Sequence, residues 1–272
     1  MCRLLCWATT SAHTLDEVLG EPGFAKFTDL SRLHNDGWGL AGVARPGSLP
    51  HVQRSTSPAF SDALLGEIAD DRYCGCVVHF RKASPGLAVE MRNTHPFVYE
   101  SVAFAHNGSI LPQERLDDLL TPRWRDRMIG TTDSERYFMA VMAEVENGLE
   151  LSDAINEVVT KITRDYQTSS LNAMFLTPHA LCVVNSHDPT QSPGPAMEPD
   201  GAPYYQLRVR RTPNSVVVAS SGFPQSDDEG WEMLANHTLT TIDIASATTE
   251  TMSLGSREIA TSGERPSARQ GS

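Results

Sequence analysis

A cysteine stands directly behind the initiator methionine in the opening stretch MCRLLCWATT. So small a second residue allows Met1 to be trimmed, which leaves Cys2 with a thiol and a free α-amine on one residue. Ordinary pKa values of about 8.5 for the thiol and about 7.7–8.0 for the amine let the amine act as base at neutral pH, where a lysine at about 10.4 would stay protonated. Three further groups of polar residues could complete a site. In HFRKASPG, 79–86, an apolar strand runs into Arg81, which is either a solvated strand end or a forked guanidinium for a carboxylate, with the Ser84 hydroxyl nearby. In NTHPFVYESVAFAHNGSI, 93–110, Asn107-Gly108 reads either as a hairpin turn or as a side-chain amide and a backbone N–H aimed at a developing oxyanion. In TTDSERYF, 131–138, Thr132 and Glu135 have capping-box spacing, so Asp133 is either a first-turn acid facing the helix dipole or a carboxylate for a substrate ammonium.

Composition limits the rest. At 272 residues, 40% of them hydrophobic and with no apolar run long enough to span a bilayer, the sequence reads as a globular chain without a membrane segment. Acidic residues outnumber basic ones 34 to 22, for a formal charge of −12, and no Lys/Arg cluster is present to follow phosphates, which argues against a nucleic-acid partner. No signal-peptide pattern follows Arg3, so the expected location is the cytoplasm. An odd set of five cysteines without C-x-x-C spacing fits a reducing compartment and suggests neither a disulfide scaffold nor a zinc site; no metal or cofactor is expected. On one strand face Cys2 and Cys6 would lie about 13 Å apart, too far to bridge. Cys74 and Cys76, in YCGCVVHF, read as small core residues.

The elements that would position these groups follow from periodicity. Strands are expected at 2–9, 37–45, 73–81 and 98–106, with helices at 14–33 and 57–69. Two successive helices, 133–148 and 151–166, carry apolar stripes at helical spacing, and a second strand series follows at 171–177, 180–186, 204–211, 214–220 and 236–244. Strands, paired helices and more strands predict an α+β fold in which two packed sheets carry helices outside them. The Pro/Gly-dense segment 186–203 reads as a long exposed loop remote from the chemistry, and residues from 253 onward as a disordered tail. The folded domain is expected to span 2–252.

Together and in this order, Cys2 in MCRLL, DGWG at 36–39, RKASPG from Arg81, NTHPF at 93–97, HNGSI at 106–110 and TDSE at 132–135 resemble the class II glutamine amidotransferases, whose glutaminase domain is an N-terminal-nucleophile hydrolase. The resemblance implies an αββα sandwich of two mainly antiparallel sheets. It implies Cys2 as nucleophile and Asn107 and Gly108 as the oxyanion hole. Arg81 and Ser84 would hold the substrate α-carboxylate, Asp133 its α-ammonium, and Asn93 and His95 would belong to a pocket motif that orients the loops. The implied reaction releases ammonia or an amine from glutamine or another γ-glutamyl amide through a thioester on Cys2. No long synthase domain follows the matching region, so the expectation is ammonia transfer to a partner synthase or hydrolysis of a larger γ-glutamyl amide, as in the biosynthesis of thiol-histidine compounds such as ergothioneine. Trp38 is the residue expected at the rim of a leaving-group site.

Overall fold

The computed structural model describes residues 2–84, 86–198 and 201–255. The first half of the chain runs β1 (Arg3–His13), α1 (Leu15–Leu19), α2 (Glu21–Asp29), β2 (Trp38–Val43), β3 (His51–Ser55), α3 (Ala63–Ala69), β4 (Tyr73–Phe80), β5 (Phe97–Tyr99) and β6 (Val102–Leu111). The second runs α4 (Pro122–Arg125), α5 (Asp133–Glu146), α6 (Leu151–Asp165), β7 (Gln167–Leu176), β8 (Ala180–Asn185), β9 (Leu207–Thr212), β10 (Ser215–Ser220), β11 (Trp231–Met233), β12 (Thr238–Asp243) and β13 (Thr249–Ser253).

The strands form two antiparallel sheets, ordered β11-β9-β10-β1-β4-β2-β3 and β13-β12-β8-β7-β6-β5. Strand alternation divides the side chains of β1: Leu5 and Trp7 pack outward beneath α1–α3, while Leu4, Cys6 and Ala8 face the second sheet. Small residues on that inner face, among them Ala41, Ala103 and Ala105, bring the two sheets together. On the far side of the second sheet, Phe138 of α5 and Val158 and Ile162 of α6 join Phe104 and Phe175 of the sheet in one core, and burial of each such side chain contributes about 1.5–3 kcal/mol. This is the αββα sandwich expected from the sequence. Among the described residues, no helix is long and apolar enough to cross a membrane.

The elements differ from expectation where polar edges and glycines intervene. The helix expected over 14–33 is broken at Gly20, whose φ of 74° separates α1 from α2. Strands β3 and β13 were not expected, because as edge strands they carry HVQRS and TETMS and bury little. The tail expected from 253 starts at the last residue of β13; from 256 it lies outside the described residues.

Candidate active site

One half of the site is built from strands. Cys2 precedes β1 on the inner-facing register of Leu4 and Cys6, and Asn107 sits opposite it on β6, in line with Ala103 and Ala105. The Cys2 backbone N–H donates to Asn107 Oδ1 at 2.7 Å, inside the protein. That bond commits the amide oxygen and leaves Asn107 Nδ2 buried without a hydrogen-bond partner. The hairpin-turn reading of Asn107-Gly108 is corrected here: both lie within β6, paired with Asn172 and Leu171 on β7. The turn falls earlier, at Glu100, whose φ of 51° carries β5 into β6. Gly108 is required by close approach, since a Cβ there would overlap the Ser170 carbonyl oxygen. Behind Cys2, the Tyr204 hydroxyl lies 3.0 Å from the Cys2 carbonyl oxygen and 2.9 Å from His34 Nε2. His34 donates its Nδ1–H to Leu30 O at 2.7 Å, so the phenolic proton is shared between the imidazole and the Cys2 carbonyl.

The other half is carried by loops. Arg81 ends β4, buried, and its guanidinium donates to the backbone oxygens of Asp36 at 3.3 Å and Ala88 at 3.1 Å. The DGWG segment supports the same loop. Asp36 accepts from the Ala83 N–H at 2.9 Å and lies 3.4 Å from the Lys82 ammonium, and Gly39 lets the His95 carbonyl pack directly on β2. Asn93 accepts from the Thr131 N–H at 2.9 Å and donates toward Ala88 O at 3.4 Å, tying the Arg81 loop to the approach of α5. Thr132 caps α5 through Glu135 N, yet only half of the capping box forms: the buried Glu135 carboxylate turns back to accept from Ile129 N and Gly130 N, both at 2.8 Å. Asp133 receives the Ile110 N–H from β6 and the Ser134 N–H, each at 2.9 Å, which fixes its carboxylate at the cleft.

Electrostatics single out one cysteine. Burial pushes the thiols of Cys6, Cys74, Cys76 and Cys182 up. Burial acts on Cys2 in the same direction, but with Met1 still attached the positive charge of the chain terminus, followed by His79, outweighs it and lowers the thiol to about 6. Burial and the neighbouring histidines and Arg81 keep His95 neutral, and burial likewise lowers His106, whose Nε2–H donates to Ser170 O while Nδ1 faces the Ser134 hydroxyl. All five cysteines are free.

Cys2, Arg81, Ser84, Asn93, His95, Gly108 and Asp133 line one narrow pocket of about 30 Å3, with Asn107 beneath its floor. Thus every residue expected at the site is brought together. Trp38 is not at a rim: it is fully buried under α3, its indole N–H bonded to Asp62 at 3.0 Å, because β2 turns its even-numbered residues, Trp38 and Leu40, toward the outer core. The segment 186–203 is also closer to the site than expected. Gln191, Ser192 and Pro193 line a cavity of about 580 Å3 that shares Ser84, Leu87 and Asp133 with the narrow pocket, and Met197 O accepts from the buried Arg3 at 3.0 Å. The sequence reading did not single out His34, His79 or Tyr204, because their partners lie far along the chain.

The profile of the family described as glutamine amidotransferases class-II matches residues 1–262, and the chain belongs to that family. A Haemophilus influenzae protein named as a glutamine amidotransferase is 28% identical over 262 residues, covering 87% of this chain and 82% of its own. The γ-glutamyl-hercynylcysteine sulfoxide hydrolase of Mycobacterium tuberculosis is 24% identical over 241 residues, covering 85% of this chain and 88% of its own. In fold, the chain is similar to a glutamine aminotransferase class-II domain protein of Silicibacter pomeroyi, with a TM-score of 0.63 at 20% identity over 94% of this chain and 100% of that one.

Proposed function

We propose that this chain, with Met1 removed, cleaves the γ-carboxamide of glutamine with Cys2 as nucleophile, and that the ammonia goes to a separate acceptor protein. The observation that carries this reading is the Cys2–Asn107 pair. Asn107 uses its oxygen to fix the main chain of Cys2 and keeps an unpaired, buried Nδ2 donor beside the thiol. A buried donor left unpaired costs about 1–3 kcal/mol in the resting protein, a cost that is offset when a negative oxygen forms within its reach. In this mechanism the thiolate attacks the γ-carbonyl, and Asn107 Nδ2 and the Gly108 N–H receive the oxyanion. The amine leaves with a proton, and water releases glutamate from the Cys2 thioester. Arg81 and Ser84 would hold the α-carboxylate and Asp133 the α-ammonium, setting the distance from amino-acid head to scissile carbonyl.

A second reading, hydrolysis of a larger γ-glutamyl amide, is supported by the 580 Å3 cavity beside the pocket, more room than ammonia needs. Glutamate release from glutamine and from a panel of γ-glutamyl amides separates the two. Partnered transfer predicts no strong preference for a bulky amide. A preference of about a hundredfold, near 2.7 kcal/mol of transition-state binding, would replace it with the hydrolase reading. In either case Cys2→Ala should abolish turnover, by about 10⁴-fold or more, and activity in that variant would refute the nucleophile.

A further inference from the structure

Strand β7 carries one residue more than β6 where the two meet at the cleft. Ser109 pairs with Ser170 and Ile110 with Thr168, so Ser169 is left as a bulge, a feature that turns a side chain out of its ladder position. Its hydroxyl turns back to β6, accepting the Ser109 N–H at 3.0 Å and lying 2.9 Å from the Ser109 hydroxyl. Its carbonyl accepts the Asp188 N–H at 3.2 Å, which with the bridge between Ser170 and His187 fixes the start of segment 186–203 beside the cleft. Just past the other end of that segment, Tyr205 is buried with its carbonyl held by Asn172 Nδ2 at 2.6 Å, and its side chain also reaches Ser169. Ser109, Ser169 and Tyr205 thus give the 580 Å3 cavity a hydroxyl-bearing wall that begins one residue beyond Gly108. Leu87, Leu111 and Pro193 add apolar surface, and none of the described residues lining the cavity is lysine, arginine or histidine. Water and ammonia need neither such a wall nor such a volume.

We propose that this cavity is an amine subsite, from which a primary amine with an uncharged body takes the γ-glutamyl group from Cys2 in place of water, so that the chain is also a γ-glutamyl transferase. The proposal rests on Cys2 carrying the γ-glutamyl thioester, and it holds whether the natural donor is glutamine or a larger amide. The amine enters unprotonated, and its nitrogen attacks the thioester carbonyl to form the C–N bond. Asn107 Nδ2 and the Gly108 N–H receive the oxyanion, as in the first half of the reaction. The α-amine of Cys2 takes the proton that the nitrogen sheds, the C–S bond breaks, and the thiolate returns as the γ-glutamyl amide leaves. An amine seated in the cavity meets the carbonyl at a high effective concentration, which is how it competes with water. Selection follows from the lining. A hydroxyl on the amine finds partners in Ser109, Ser169 and Gln113, and a short alkyl body finds Leu87 and Leu111. A carboxylate or phosphate would leave water for a cavity that offers no cation and has the Asp133 carboxylate in its wall.

Ethanolamine and glycine are matched probes, since both are small primary amines and only glycine carries a carboxylate. The full chain is incubated with glutamine and increasing amounts of either amine at about pH 8.5, where part of the amine is unprotonated, and the γ-glutamyl amide and free glutamate are measured by mass spectrometry. With ethanolamine the ratio of amide to glutamate should rise and then saturate, as filling of a site requires, and amide formation should exceed that with glycine by about tenfold or more. Glutamate release without any γ-glutamylethanolamide, or a ratio that rises linearly and equally for both amines, would overturn the subsite while leaving the glutamine-cleaving reading intact. Leu111 lines the cavity but is about half exposed, so a larger side chain is tolerated there. Leu111→Trp should lower amide formation about tenfold and keep glutamate release from glutamine within about threefold. Unchanged transfer in the folded variant would also overturn the proposal. Absence of both products from the wild type would count against Cys2 as the nucleophile, and this proposal would fall with it.

Discussion

The two halves of the cleft are built by different means. Cys2 stands at the start of β1 and Asn107 and Gly108 on β6, strands whose positions are set by ladders to β4, β10 and β7. Arg81, Asn93 and Asp133 stand at element ends and are held by side-chain bonds to backbone groups of other loops, Asp36, Ala88, Thr131 and Ile110. A ladder spreads any perturbation over many bonds, whereas a loop tied by one amide can open when that amide is lost. The rigid half is suited to aiming groups at a reacting atom, and the tied half to closing over a substrate head. The difference can be tested, because damage to the first half should appear in kcat and damage to the second in KM.

The strongest test of the strand half is Asn107. Asn107→Ala should lower kcat by about 10²–10³-fold with little change in KM, the usual cost of losing one oxyanion donor. Asn107→Asp sharpens the point, since it keeps an oxygen for the Cys2 N–H but puts a negative charge where the donor was. It should be no more active than the alanine variant, and near-normal turnover by it would exclude oxyanion binding at this side chain.

The loop half should respond more gently. Asn93→Ala removes the bond to Thr131 N and the contact toward Ala88, releasing the Arg81 loop from the start of α5. Loss of about 1–1.5 kcal/mol of positioning should raise KM for the γ-glutamyl substrate about tenfold, with kcat within about threefold. An equal fall in kcat with KM unchanged would mean that the two halves are not mechanically distinct.

How much of this could be read from the sequence follows the same division. Cys2, Arg81, Asn107 and Asp133 lie within short motifs whose local spacing is visible along the chain, and the apolar run over 73–80 and the stripes of α5 and α6 place the layers around them. Misreadings arose where a local signal competed with a tertiary one. Asn-Gly is a strong turn pair, yet at 107–108 the ladder to β7 overrides it. Thr132 and Glu135 have capping-box spacing, but the Ile129 and Gly130 amides draw Glu135 away. Nothing local marks His34 or Tyr204, which are 170 residues apart and meet only through the fold.

That pair yields the smallest expected effect, and one confined to stability. His34 lies behind the strand half, and burial, followed by the charge of Arg3, lowers its imidazole to about 3 from 6.5. The folded state therefore keeps His34 neutral across the range in which the unfolded chain binds a proton. Below pH 6.5 the unfolded state carries more protons, so stability rises with pH and falls on acidification, continuing to fall until about pH 3. Between pH 7 and pH 5 this one group should remove about 2 kcal/mol of stability, or about 4–8 °C in Tm. His34→Gln should have a lower Tm at pH 7, having lost the bonds to Leu30 and Tyr204, but a flatter dependence of Tm on pH. Turnover of the wild type should not show this step, because in the folded enzyme the ring is still neutral at pH 5 and Tyr204 still faces the Cys2 carbonyl. Parallel Tm–pH slopes for the two proteins would show that His34 is not the group that titrates. A loss of kcat on acidification that disappears in His34→Gln would show that the Tyr204 link acts on the nucleophile, and not only on the packing behind it.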